Sequence, residues 1–191
     1  DTLARSPLRL FWFTDFGFEM PSRHGRGTAP LFQDGLLVVG GLHAILGVDA
    51  YNGRVVWRFD CPDFQKPYDQ EHLLGVAGTG GAMCLGGGHV YARHGDRCLR
   101  LDLRDGRQDA EFALPGDEPG LWGFLAWDDG VLLGSRADSE HVVRYLFGAS
   151  DMRRLPTQST HLFAYESGTG NLLWSYAAEQ SLRHNAIVAG G

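Results

Sequence analysis

A phrase of ten residues occurs three times along this chain of 191, each time closing on a glycine. It reads AILGVDAYNG at Ala44–Gly53, RCLRLDLRDG at Arg97–Gly106 and HLFAYESGTG at His161–Gly170. In each copy an alternating apolar strand runs into an acidic residue (Asp49, Asp102 or Glu166), with the glycine four positions on. Two copies then place a tryptophan four residues beyond the glycine, at Trp57 and Trp174. A strand–turn–strand unit repeated along one chain means an array rather than a single-pocket domain.

The match extends upstream. Gly35 precedes Gly53 by eighteen residues, and Gly88 precedes Gly106 by the same eighteen. Each of Gly35, Gly88 and Gly130 is followed by a short β-favouring run (LLVV, HVYA and VLLG), and each is preceded by another (APLF, AMCL and FLAW). The unit is therefore four short antiparallel strands, the make-up of a β-propeller blade. Asp34-Gly35, Asn52-Gly53, Asp105-Gly106 and Asp129-Gly130 are pairs that tolerate positive φ, as two-residue type I′ hairpins demand. The fold class is all-β, with expected blades over residues 23–60, 75–113 and 121–177 and partial blades at 8–14 and 183–191. Since closure takes roughly four to eight blades, the chain reads as a segment of a longer propeller.

The third unit departs from the spacing: Gly130 and Gly170 are forty residues apart, which inserts about twenty-two residues near 137–160. Such an insert is either a loop packed on the rim or a binding surface. A net charge of −6 argues against a nucleic-acid partner, which selects clustered Lys and Arg. No apolar run reaches the length of a membrane-spanning helix. Cys61, Cys84 and Cys98 have no metal-type spacing and read as free thiols.

The run Asp49-Ala-Tyr-Asn-Gly53-Arg-Val-Val-Trp57 resembles the tryptophan-docking repeat of quinoprotein-type propellers, and Glu166–Trp174 is similar with Glu for Asp. Asp102–Gly106 is a degenerate copy, with Ala110 at the tryptophan position and Phe112 nearby. The resemblance implies a pyrroloquinoline-quinone-like propeller of seven or eight blades. Trp12, Trp57 and Trp174 are then structural staples, each burying an indole face against the next blade while its N–H finds an acceptor.

The same resemblance implies one of two functions. Catalytic members carry adjacent cysteines, an aspartate base and a calcium site of Glu, Asn and Asp. Other members are scaffolds without cofactor. This segment has no Cys-Cys pair, so the expectation is a non-catalytic scaffold for protein–protein contact, with no cofactor and no catalytic or metal-binding residue. The alternatives are a fragment of a quinone-dependent dehydrogenase holding pyrroloquinoline quinone with calcium, and a propeller that binds a small ligand or carbohydrate. The expected partner is a protein or the remaining blades. By resemblance the compartment is periplasmic or otherwise extracytoplasmic. Gly78–Met83 lacks the last glycine of a dinucleotide loop, and Ser135, Ser139 and Ser159 lack a nucleophile-elbow context. The surface singled out is basic: Arg23, His24 and Arg26 before the first blade, echoed by Arg183 and His184. These positions either line a channel mouth or serve as contacts between blades. Arg93, His94 and Arg97 form a further basic edge.

Overall fold

The computed structural model describes residues 10–17, 29–64, 81–138, 140, 158–188 and 190. They form three separate four-stranded antiparallel sheets, each a meander in chain order. The first blade holds β1 (Leu31–Gln33), β2 (Leu36–Gly40), β3 (Ala44–Asp49) and β4 (Val55–Asp60). The second holds β5 (Met83–Gly86), β6 (His89–His94), β7 (Arg97–Asp102) and β8 (Gln108–Ala113). The third holds β9 (Trp122–Asp128), β10 (Val131–Ala137), β11 (Gln158–Glu166) and β12 (Leu172–Arg183). β1 lies beside β5 and β5 beside β9, so the first strand of each blade is the inner one. The result is an open arc of propeller blades.

The cores lie between blades. Val38, Ile45 and Trp57 of the first blade meet Met83, Val90, Leu99 and Leu101 of the second. Tyr91, Cys98 and Phe112 of the second meet Trp122, Leu125, Leu132, Phe163 and Tyr165 of the third. Alternation along each strand therefore presents one apolar face to each neighbour.

The repeated phrase proves to be the joint between blades. The residue after the acid donates its N–H to the glycine of the inner hairpin: Ala50 to Gly35 at 3.0 Å, Leu103 to Gly88 at 3.0 Å and Ser167 to Gly130 at 2.8 Å. This bond accounts for the fixed spacing, and it survives in the third blade despite the insert. The carbonyl of the same residue faces the preceding blade. Trp12 Nε1–H donates to the Ala50 carbonyl at 2.8 Å, and Trp57 Nε1–H donates to that of Leu103 at 2.9 Å. Each indole also lies on the turn glycine of the blade it reaches. A Cβ on Gly53 would stand 2.6 Å from Trp12, and one on Gly106 would stand 2.5 Å from Trp57.

The turn itself differs from the type I′ expectation. Asp34-Gly35 and Asp129-Gly130 do have both residues at positive φ. At Asn52-Gly53 and Asp105-Gly106 only the glycine does. There the acidic side chain closes a longer loop, with Asp49 Oδ1 accepting from the amides of Tyr51 and Asn52 and Asp102 Oδ1 from that of Arg104. A backbone bond from the glycine to the acidic residue's carbonyl finishes the turn at 2.8–2.9 Å in all three copies.

β12 runs to Arg183, beyond the expected end of its blade near 177, because β10 and β11 are also long at the stem of the insert. A 3₁₀ turn, His184–Ala186, follows where an opening strand was expected. Trp174 is 46% exposed and Trp57 only 7%. The two occupy the same position of the repeat and differ in having a neighbouring blade among the described residues.

Candidate functional site

Of the basic stretch singled out in the sequence, Arg23, His24 and Arg26 lie outside the described residues, as do residues 139 and 141–157 of the insert. Arg183 ends β12, exposed, opposite Gln158. His184 is half-buried, and its ring joins a line of hydrogen bonds across the whole third blade. The Phe124 amide of β9 donates to Ser135 Oγ of β10 at 2.7 Å. Ser135 Oγ lies 2.7 Å from Ser159 Oγ of β11, which lies 2.7 Å from His184 Nε2.

A hydroxyl donates once and can accept twice, so with the ring neutral and Nε2 unprotonated these bonds can run from the amide to Ser135, from Ser135 to Ser159 and from Ser159 to His184. The neutral form of the ring is favoured. Burial does this first and the charge of Arg93 second, together pushing the His184 pKa down to about 4 against the opposing bond to the Gln158 backbone. Gly123 makes the line possible, since a Cβ there would fall 2.6 Å from both serine oxygens and 2.9 Å from Nε2.

A serine bonded to a histidine is the pairing of a nucleophile with its base. Both serines, however, are wholly buried, so no substrate carbonyl reaches either oxygen. The arrangement clasps four strands at the stem of the insert, with the Asp138 amide donating to the Gln158 carbonyl at 2.8 Å beside it. Sequence reading missed the clasp, because its members lie 24 and 25 residues apart across a blade of irregular spacing.

The other basic edge is divided among contacts. Arg93, 8% exposed, donates to the Gly123 carbonyl of the third blade. His94 Nε2 lies 2.9 Å from the Pro62 carbonyl after the first blade, and Arg97 pairs with Asp96 and Glu111. Arg93 and His94 thus connect blades.

The three thiols are free. Burial pushes Cys61 up to about 11, Cys84 up to about 12 and Cys98 well above its ordinary value. Among the described residues no three His, Cys, Asp or Glu side chains converge as metal ligands, and no two cysteines are adjacent.

A family model described as the outer membrane protein assembly factor BamB matches residues 9–190. A search of curated protein sequences finds no match. Among solved structures, the chain is similar to the quinohemoprotein alcohol dehydrogenase ADHIIG from Pseudomonas putida HK5. The identity is 17% and the TM-score 0.55, over 84% of this chain and 22% of that one. It is similar to a europium-containing methanol dehydrogenase at 16% identity and TM-score 0.52, over 78% of this chain and 31% of that one. The computationally designed Ika4 protein matches at 15% identity and TM-score 0.51, over 88% and 83% of the two chains. These likenesses show the propeller fold, and the chain spans well under half of either dehydrogenase.

Proposed function

Since the chain belongs to the quinoprotein-like repeat family whose model describes the outer membrane protein assembly factor BamB, we propose that it is a non-catalytic propeller platform for protein partners. One observation carries this reading. The repeat's acidic residue, the carbonyl after it and its glycine are all engaged in building blades, and both serines of the Ser–Ser–His line are buried inside the third. What remains for other molecules is the surface of the blades, a broad rigid face suited to a protein or an extended peptide. The family description supports the machinery or clients of outer-membrane protein assembly as the partner's class, and a location outside the cytoplasm. No helix among the described residues is long and apolar enough to cross a membrane.

The test titrates the full-length protein with pyrroloquinoline quinone and calcium and assays dye-linked alcohol oxidation. A platform shows neither saturable quinone binding at high micromolar concentration nor turnover. Binding together with turnover would establish the dehydrogenase reading instead. In parallel, site-specific crosslinking from the blade rims in cells should trap components of outer-membrane protein assembly. A yield no higher than from an unrelated periplasmic protein counts against the partner class.

A further inference from the structure

The joint between the second and third blades is built differently from the one before it. In the first blade Gly47 faces Trp57 across β3 and β4, and the indole covers the glycine before reaching the Leu103 carbonyl. In the third blade Ala164 faces Trp174 in the same register. In the second blade the sizes are exchanged: Arg100 stands at the small-residue position and faces Ala110 at the tryptophan position. The side chain now reaches out from the other strand. Arg100 Nη1 donates to the Ser167 carbonyl at 2.5 Å, the atom equivalent to the Ala50 and Leu103 carbonyls that the indoles bind.

Arg100 is held by an ionised partner. Its Nε donates to Asp109 Oδ1 at 2.8 Å, and His89 Nε2 of β6 lies 3.2 Å from Asp109 Oδ2. Tyr91 of β6 faces Arg100 and Ser167, with Cys84 of β5 behind it. From the third blade, Trp127 Nε1–H donates to Ser167 Oγ at 3.0 Å. Phe112 supplies the apolar remainder, its ring 5.7 Å from that of Tyr165. The side chains of Arg100 and Asp109 are 15% and 24% exposed, so water and salt reach the pair. An indole sealed at 7% exposure offers no such access.

We propose that this seam is a built-in point of opening: an ion-paired arginine replaces the buried tryptophan there, so salt or acid loosens the second and third blades before the first and second. Loss of the Asp109 charge removes what orients Arg100, and the Ser167 carbonyl then loses its inter-blade donor. Burial works to raise the Asp109 pKa, but the bond and charge of Arg100, with His89 adding to them, hold it below its ordinary value of 3.8. A depressed carboxylate stabilises above its unfolded pKa and ceases to do so as pH falls through the folded one, so the acid effect belongs below about pH 4.

The experiment is hydrogen exchange on the full chain at constant neutral pH, with sodium chloride raised from about 0.05 to about 1 M. Amides of β8 and of the turn at Ser167 should exchange about twofold to fivefold faster, the range a partly exposed ion pair supports. Those of β4 and of the turn at Leu103 should not change. Asp109→Asn should reproduce the local effect at low salt. Arg100→Gly with Ala110→Trp, which rebuilds the first-blade pair, should abolish the salt response. A response spread equally over both joints, an Asp109→Asn variant without effect, or a rebuilt pair that keeps its salt sensitivity would each overturn the proposal. If neither variant folds, the salt comparison on the unsubstituted protein decides it.

Discussion

Replacing Trp57 by alanine should cost this chain far more than the same change at Trp174. Both tryptophans follow the repeat glycine by four residues, yet among the described residues only Trp57 of the two has a blade to dock on. Its ring is 7% exposed, covers Gly47, rests on Gly106 and donates to the Leu103 carbonyl. Truncating a buried aromatic of this kind costs about 3–5 kcal/mol, lost hydrogen bond included. Trp174 is 46% exposed, so roughly half of its burial is missing in the folded chain, and about 1–2 kcal/mol is at stake. In a chain of this size the two losses correspond to about 6–20 °C and about 2–8 °C in Tm. Thermal unfolding followed by far-ultraviolet circular dichroism reads both without relying on the indoles. Equal losses would refute the reasoning, because they would mean that Trp57 owes nothing to the second blade.

Other consequences concern single joints. Gly106→Val should destabilise by at least about 2 kcal/mol in urea denaturation, since a branched side chain must adopt positive φ and meet the Trp57 ring. Ser159→Ala should cost about 1–3 kcal/mol by stranding Ser135 and His184. His184 is held neutral with its pKa at about 4, so its contribution is complete above the unfolded value near 6.5 and is lost as pH falls toward 4. The loss amounts to about 3 kcal/mol, and a His184→Gln variant should flatten that part of the stability–pH profile. Cys61 and Cys98, buried with raised pKa values, should react with a thiol reagent only as fast as the protein opens. Immediate labelling in native buffer would contradict their placement.

The blade was legible in the sequence because its determinants are local. Alternation within β3, β7 and β11, an acid and a glycine four residues apart, and a tryptophan four residues later all fall within one short window. The glycine's second role was not legible, since Gly106 touches Trp57 only after one blade has been laid on another. The same holds for Arg100. Ala110 at the tryptophan position signalled a missing staple, but its replacement sits across the strand pair, visible only once β7–β8 register is known. His184 was read as a basic surface residue. Its companions Ser135 and Ser159 flank the insert, so chain spacing gave no hint that a buried line of hydrogen bonds would hold it neutral.

Each docked tryptophan of the repeat donates its indole N–H to the carbonyl of the residue after the next blade's acid, and on this the whole reading of the blade joints rests. Hydrogen exchange of the assigned indole N–H groups by NMR tests it most directly. Strong protection is expected at Trp57, bonded to Leu103 and buried, lesser protection at Trp12, bonded to Ala50 but half-buried, and rapid exchange at half-exposed Trp174. Rapid exchange at Trp57, or equal rates at all three, would contradict it.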